Sequence, residues 1–177
     1  MPHLAYQRAA LVFTLFDSNG NGVLDAEDFD LMTERVLEVA TDSAEADRQA
    51  LAASISNYWA VMAKTLDVNG DGLVTPTEFR GFVLNPELFG ATAAVFADAL
   101  AALGDPDCDG LIERPRFLAL MTAIGFDKPN IEALFDAFGP DATDRITVAV
   151  WAQGIRDYYS PEKVGIAGDH LVPNLRV

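Results

Sequence analysis

Histidine and cysteine are nearly absent from this chain, with two of the first and one of the second in 177 residues. A single cysteine closes no internal disulfide. His3 and His170 lie near opposite ends, outside any metal-ligand spacing. Cys108 has no neighbouring histidine, and no stretch resembles a nucleophile motif or a phosphate-binding loop, so catalysis is not expected. Basic side chains are scarce too, 12 against 27 acidic ones. The resulting net charge of −15 argues against nucleic acid or an anionic membrane as a direct partner, since both would repel the chain. Long apolar runs are also missing: none approaches the roughly 20 residues of a membrane span. The start, Met1-Pro2-His3-Leu4, lacks the basic region and apolar run of a signal peptide, so a cytoplasmic protein is expected. Half of the residues are nevertheless hydrophobic, and the length suffices for a real core.

What the chain does have is a repeated acidic loop. Asp67-Val68-Asn69-Gly70-Asp71-Gly72-Leu73-Val74-Thr75-Pro76-Thr77-Glu78 matches the twelve-residue calcium loop of an EF-hand. Asp67, Asn69 and Asp71 offer side-chain oxygens, Leu73 its carbonyl, and Glu78 is long enough to clamp an ion with both oxygens. Gly72 sits at the sharp turn. Calcium, a hard cation, takes about 6–8 oxygens at flexible geometry, which is the shell these residues can supply. Val74, at the eighth position, is apolar, as a β-bridge to a partner loop requires. Thr75 and Glu78 form a capping box with Pro76 at the first helical position, so the loop also starts a helix.

A second copy runs from Asp17 to Asp28. Its ligand candidates are Asp17, Asn19, Asn21, the Val23 carbonyl, Asp25 (through water) and Asp28. Asp28 is one methylene shorter than Glu, so one-oxygen ligation and a weaker preference for calcium over magnesium are expected there. A third copy, 105–116, offers Asp105, Asp107, Asp109 and the Leu111 carbonyl, with Gly110 and Ile112 in place. Its twelfth residue is Arg116, a cation that removes the clamp and is expected to repel an ion, which predicts a weak or empty site. In the fourth, 139–150, Ile146 takes the eighth position. There the clamp is Val150, and Asp144 stands where the turn glycine belongs, so no binding is expected.

Helical apolar spacing flanks every loop. The stripes are Tyr6, Ala9, Phe13 and Phe16; Phe29, Met32, Val36 and Val39; Ile55, Trp59, Met62 and Leu66; then Phe79, Phe82 and Val83, with Asn85-Pro86 as a stop. A further helix is expected from about Ala91, with Phe96, Leu100 and Leu103 inward. Phe117, Leu120, Met121 and Ile124 follow, ended by Gly125. Asp127 caps the next helix, which carries Ile131, Leu134, Phe135 and Phe138. Val148, Trp151, Ile155 and Tyr158 mark the last. Asp42, with Glu45 three residues on, reads as the cap of the long helix that ends at Leu66. The fold expected is all-α: four EF-hand units in two pairs, 1–88 and 89–159. An irregular tail, 160–177, is expected to pack through Val164, Ile166, Leu171 or Val172.

Four loops starting at 17, 67, 105 and 139, a stretched first spacing and decayed later loops resemble the sarcoplasmic calcium-binding proteins and their bacterial calerythrin-type relatives. Ile155-Arg156-Asp157-Tyr158-Tyr159 is similar to that group's end of the last helix. The resemblance implies a closed, compact protein that buffers cytosolic calcium and magnesium. Arg116 and the fourth loop depart from it, because family members often keep a C-terminal site. Only four methionines argue against the Met-rich groove of an opening sensor, so a calcium buffer is the leading expectation. The alternative is a calcium-dependent regulator of an unknown protein partner. A monomer is expected.

Overall fold

Each loop ends one helix and caps the next, so the acidic repeats dictate where the helices fall. The computed structural model of the chain describes residues 3–83 and 86–172. Eight α-helices run in order: α1 (His3–Phe16), α2 (Ala26–Val39), α3 (Glu45–Leu66), α4 (Pro76–Val83), α5 (Pro86–Leu103), α6 (Arg114–Ile124), α7 (Lys128–Ala137) and α8 (Val148–Tyr158). Strands β1 (Leu111–Glu113) and β2 (Arg145–Thr147) pair antiparallel, and a 3-10 helix spans Ala167–Leu171.

Caps set several boundaries. Asp25 accepts from the Glu27 N–H at 2.9 Å and Asp28 returns a bond from the Asp25 N–H at 3.0 Å, opening α2. Thr75 and Glu78 do the same for α4, as expected from the sequence. Gly125 ends α6 at φ 116°, where its N–H bonds the Met121 and Thr122 carbonyls; a Cβ would be strained there.

Two boundary expectations and several core positions are corrected. Ala44, not Asp42, is the cap position of α3, and it makes no side-chain bond. Asp42 instead accepts from Arg116 at 2.7 Å, and a charge-assisted bond outcompetes a cap. Helix α5 starts at Pro86 rather than near Ala91, because a proline suits a first helical position as well as it ends a helix. Tyr6, Val39 and Val164 are exposed, and Trp59 is half-buried beside a fully buried Tyr58. In α1 the inward stripe is Arg8, Val12 and Phe16, at a spacing of four. The side chains of Phe82 and Val83, with their expected core roles, are not described, and the stop at Asn85 and Pro173 lie outside the described residues.

One apolar core runs through the molecule. Phe16 packs tilted against Phe29 and edge-on against Tyr58, and Phe117 edge-on against Phe135 and Trp151. Helix α3 lies along α5, α5 along α8 and α2 along α6, so the two loop pairs share this core. Each fully buried large apolar side chain stabilises it by roughly 1.5–3 kcal/mol.

Two arginines tie distant segments. Arg8, 2% exposed, donates to Asp169 at 2.9 Å and to the Ser160 and Lys163 carbonyls, each at 3.0 Å. That clasp draws the tail onto α1, and Leu171 and Val172 bury themselves as expected. Arg116 donates to the Val39 and Leu103 carbonyls, each at 3.0 Å, and to Asp42 and Ser43. Its guanidinium therefore joins the α2–α3 turn to the end of α5. Arg116→Gln is expected to lower unfolding stability by about 2 kcal/mol, the scale of a charged hydrogen-bond network cut on one side. Denaturant unfolding with and without calcium checks this, and the loss should appear in both.

Candidate functional site

The four loops face each other in two pairs. Leu24 and Val74 exchange both backbone bonds at 2.9 Å, and both side chains are fully buried. Ile112 and Ile146 pair in the same way within β1 and β2. The apolar eighth residue thus anchors each loop to its partner, as the sequence indicates.

In the first loop the acidic and amide oxygens turn inward by bonding the loop's own N–H groups. Asp17 accepts from Asn21 and Gly22, each at 2.9 Å; Asn19 accepts from Asn21 and Asn21 from Val23, each at 3.0 Å. Asp28 reaches back from α2 to the Asn19 N–H at 3.1 Å. It is wholly buried, and burial pushes its carboxyl above the ordinary 3.8. Bonds from the Asp25 and Asn19 N–H groups pull it down, while the charges of Asp25 and Asp17 push it up further. The second loop repeats the plan. Asp67 accepts from Gly70, Asp71 and Gly72, Asn69 from Asp71 and Asp71 from Leu73. Glu78 takes its two bonds from Thr75 on a single oxygen, Oε2. With the Val23 and Leu73 carbonyls at the seventh position, both loops present hard oxygen donors that fit calcium.

The third loop begins alike. Asp105 accepts from Asp109 at 3.1 Å and Gly110 at 2.9 Å, and Asp109 accepts from Leu111 at 2.8 Å. Oxygens of Asp105, Asp107 and Asp109 all lie within 4.8 Å of one another. Two features depart from the first pair. Arg116 leaves the loop for the α2–α3 turn, so its expected repulsion of an ion gives way to a simple lack of the clamp. Arg145 of the fourth loop approaches Asp109 at 3.2 Å.

The fourth loop does not fit a metal. Asp144 holds the turn at φ 63°, a conformation that Asp tolerates better than most residues. Its carboxylate faces outward onto Arg114, which donates through Nε and Nη2 at 2.8–2.9 Å and also reaches Asp136 at 2.7 Å. Asp141 accepts on Oδ1 from the Thr143 and Arg145 N–H groups and the Thr143 hydroxyl. Val150 at the clamp position carries no ligand atom.

An EF hand family model matches residues 9–32 and 64–83, the first two loops with their flanking helices. The N-terminal half of the chain thus carries two matches to the EF hand. The chain is 24% identical to calerythrin of Saccharopolyspora erythraea over 164 residues, 88% of this chain and 92% of that protein. Among solved structures, a calcium-binding protein of Streptomyces coelicolor superposes with TM-score 0.73 at 24% identity, covering 90% of this chain and 99% of that one. A sarcoplasmic calcium-binding protein of amphioxus gives TM-score 0.65 at 18% identity, covering 97% of each chain. The fold of this chain is therefore the one those two structures share.

The arginines of the second pair escaped the sequence reading. One signal was available: Arg145 falls opposite Glu113 once Ile112 and Ile146 are paired. Cys108, exposed, stands at φ 57° where the first two loops have Gly20 and Gly70. Cys108→Gly should therefore stabilise the protein by about 0.5–1 kcal/mol, the left-handed strain less the entropy of an extra glycine, as read by the thermal midpoint.

A pH dependence follows from the fourth loop. Thr143 bonds hold Asp141 below 3.8, and Arg114 bonds do the same for Asp144. A depressed carboxyl stabilises the fold above its unfolded value and loses that contribution as pH falls through its folded value. The C-terminal pair should thus keep its structure on acidification until below pH 3.8. Emission of Trp151 in a Trp59→Phe variant, titrated in chelator, reads this directly.

Proposed function

We propose that this protein takes up calcium in the loops 17–28 and 67–78 and acts as a cytosolic buffer. The observation that carries the reading is the buried Asp28 carboxylate, aimed into a loop already lined by Asp17 and Asp25. Such a group gains most when a cation arrives. In the second loop Glu78 keeps one oxygen clear of its cap, available to an ion while the other starts α4. Asp17, Asn19, Asn21, the Val23 carbonyl, Asp25 and Asp28 would hold the first ion; Asp67, Asn69, Asp71, the Leu73 carbonyl and Glu78 the second. The shorter arm of Asp28 makes magnesium a competitor at the first loop. The third loop, with Asp105, Asp107, Asp109 and the Leu111 carbonyl, is at best a weak site.

Closure of the core supports buffering over sensing. The apolar faces meet around a cavity of about 50 Å³, lined by Phe16, Phe96, Trp151 and Tyr158 among others and covered by the 3-10 helix. A second reading, a calcium-dependent regulator, draws on the Streptomyces coelicolor neighbour, which is described in terms of calcium-mediated regulation.

Glu78→Gln should weaken calcium binding at the second loop at least tenfold, about 1.4 kcal/mol, with the first loop affected only through the Leu24–Val74 bridge. Calorimetric titration measures both. To separate buffer from regulator, a hydrophobic-surface dye is added to loaded and chelated protein. Buffering predicts dye binding only in the chelated form; strong binding in the loaded form would favour the regulator.

A further inference from the structure

The second pair of loops lacks what a metal site needs, yet it is as closed as the first. Its loops are joined by β1 and β2, and two of the carboxylates at ion-facing positions, Asp109 and Asp141, lie beside a guanidinium group instead. Arg145 spans the pair: Nη1 meets Asp109 of the third loop at 3.2 Å, while Nε meets Thr143 of the fourth at 2.7 Å and Asp141 at 3.7 Å. Arg114, at the start of α6, meets Asp144 of the fourth loop and Asp136 of α7, and stacks over the Phe135 ring at 4.4 Å. Each guanidinium is planar, permanently charged and presents several donors in one fork, so it can satisfy two carboxylates from different elements at once. A lone exposed ion pair contributes little, but both arginines are three-quarters buried and each belongs to a network.

We propose that Arg145 and Arg114 serve as internal cations of the C-terminal pair, holding its loops closed without metal and keeping the third loop's Asp109 engaged. The first pair of loops then responds to cations while the second does not. A cation enters the third loop only by displacing Arg145 from Asp109. The proposal is independent of whether loops 17–28 and 67–78 load.

Hydrogen exchange on the full chain, in chelator and in millimolar calcium, tests it. In the natural sequence, amides of 109–114 and 141–148 should keep their protection in chelator. A loss there as large as at residues 24 and 74 would overturn the proposal. Insensitivity at 24 and 74 would instead count against calcium uptake by the first pair and leave the second untouched. In Arg145→Gln, chelated protection over 109–114 should fall at least tenfold, and millimolar calcium should restore it, because Asp105, Asp107 and Asp109 are then free for the ion. Unchanged exchange, or a loss that calcium does not repair, would contradict the proposal. Asp109→Asn serves as the second variant: it removes the same ion pair and should show the same loss without calcium rescue. Rescue there would equally overturn the assignment.

Discussion

Carboxylates gathered around one point need a positive charge at that point. Every loop of this protein is built under that constraint. Loop backbone N–H groups turn the side-chain oxygens of Asp17, Asp67 and Asp105 inward, and the Leu24–Val74 and Ile112–Ile146 pairs hold the loops side by side. The inward oxygens repel one another across a few ångströms. In the first pair, among the described residues, Asn19, Asn21 and Asn69 dilute that charge. In the second, Arg145 supplies it from within the chain, while Arg114 pairs with the outward Asp144.

Most of this architecture could be read from residue types. The eighth-position residues Leu24, Val74, Ile112 and Ile146 are apolar because they sit beneath the loops, and the structure pairs all four as expected. The core aromatics flanking the loops were equally legible, since Phe16, Phe29, Phe79, Phe117 and Trp151 recur at fixed offsets from loop ends. Long-range polar contacts were not. Arg8 occupies a helical inner face, where periodicity calls for an apolar residue, and its partners lie more than 150 residues away. Asp42 looked like a cap because capping is local, whereas its actual partner Arg116 lies on another helix. Arg116 itself, judged by its loop position, seemed to oppose an ion. Its side chain is instead long enough to leave the loop and bind the α2–α3 turn.

That departure changes how the halves relate. Helices α3 and α5 lie together, and Arg116 bonds the α2–α3 turn to the Leu103 carbonyl, so the half whose loops lack a carboxylate at the twelfth position is tied to the half that has one. The Arg8 clasp adds the tail, which closes the small apolar cavity between them. Opening a groove would require breaking charged, mostly buried bonds as well as exposing aromatic surface.

The most direct test of this asymmetry is an amide NMR titration with calcium. Gly22, Gly72 and Gly110 hold the same position in their loops, each donating to the first aspartate. The account predicts that the Gly22 and Gly72 signals move and saturate at one ion per loop while Gly110 stays in place. A Gly110 signal that moves together with the other two would contradict it.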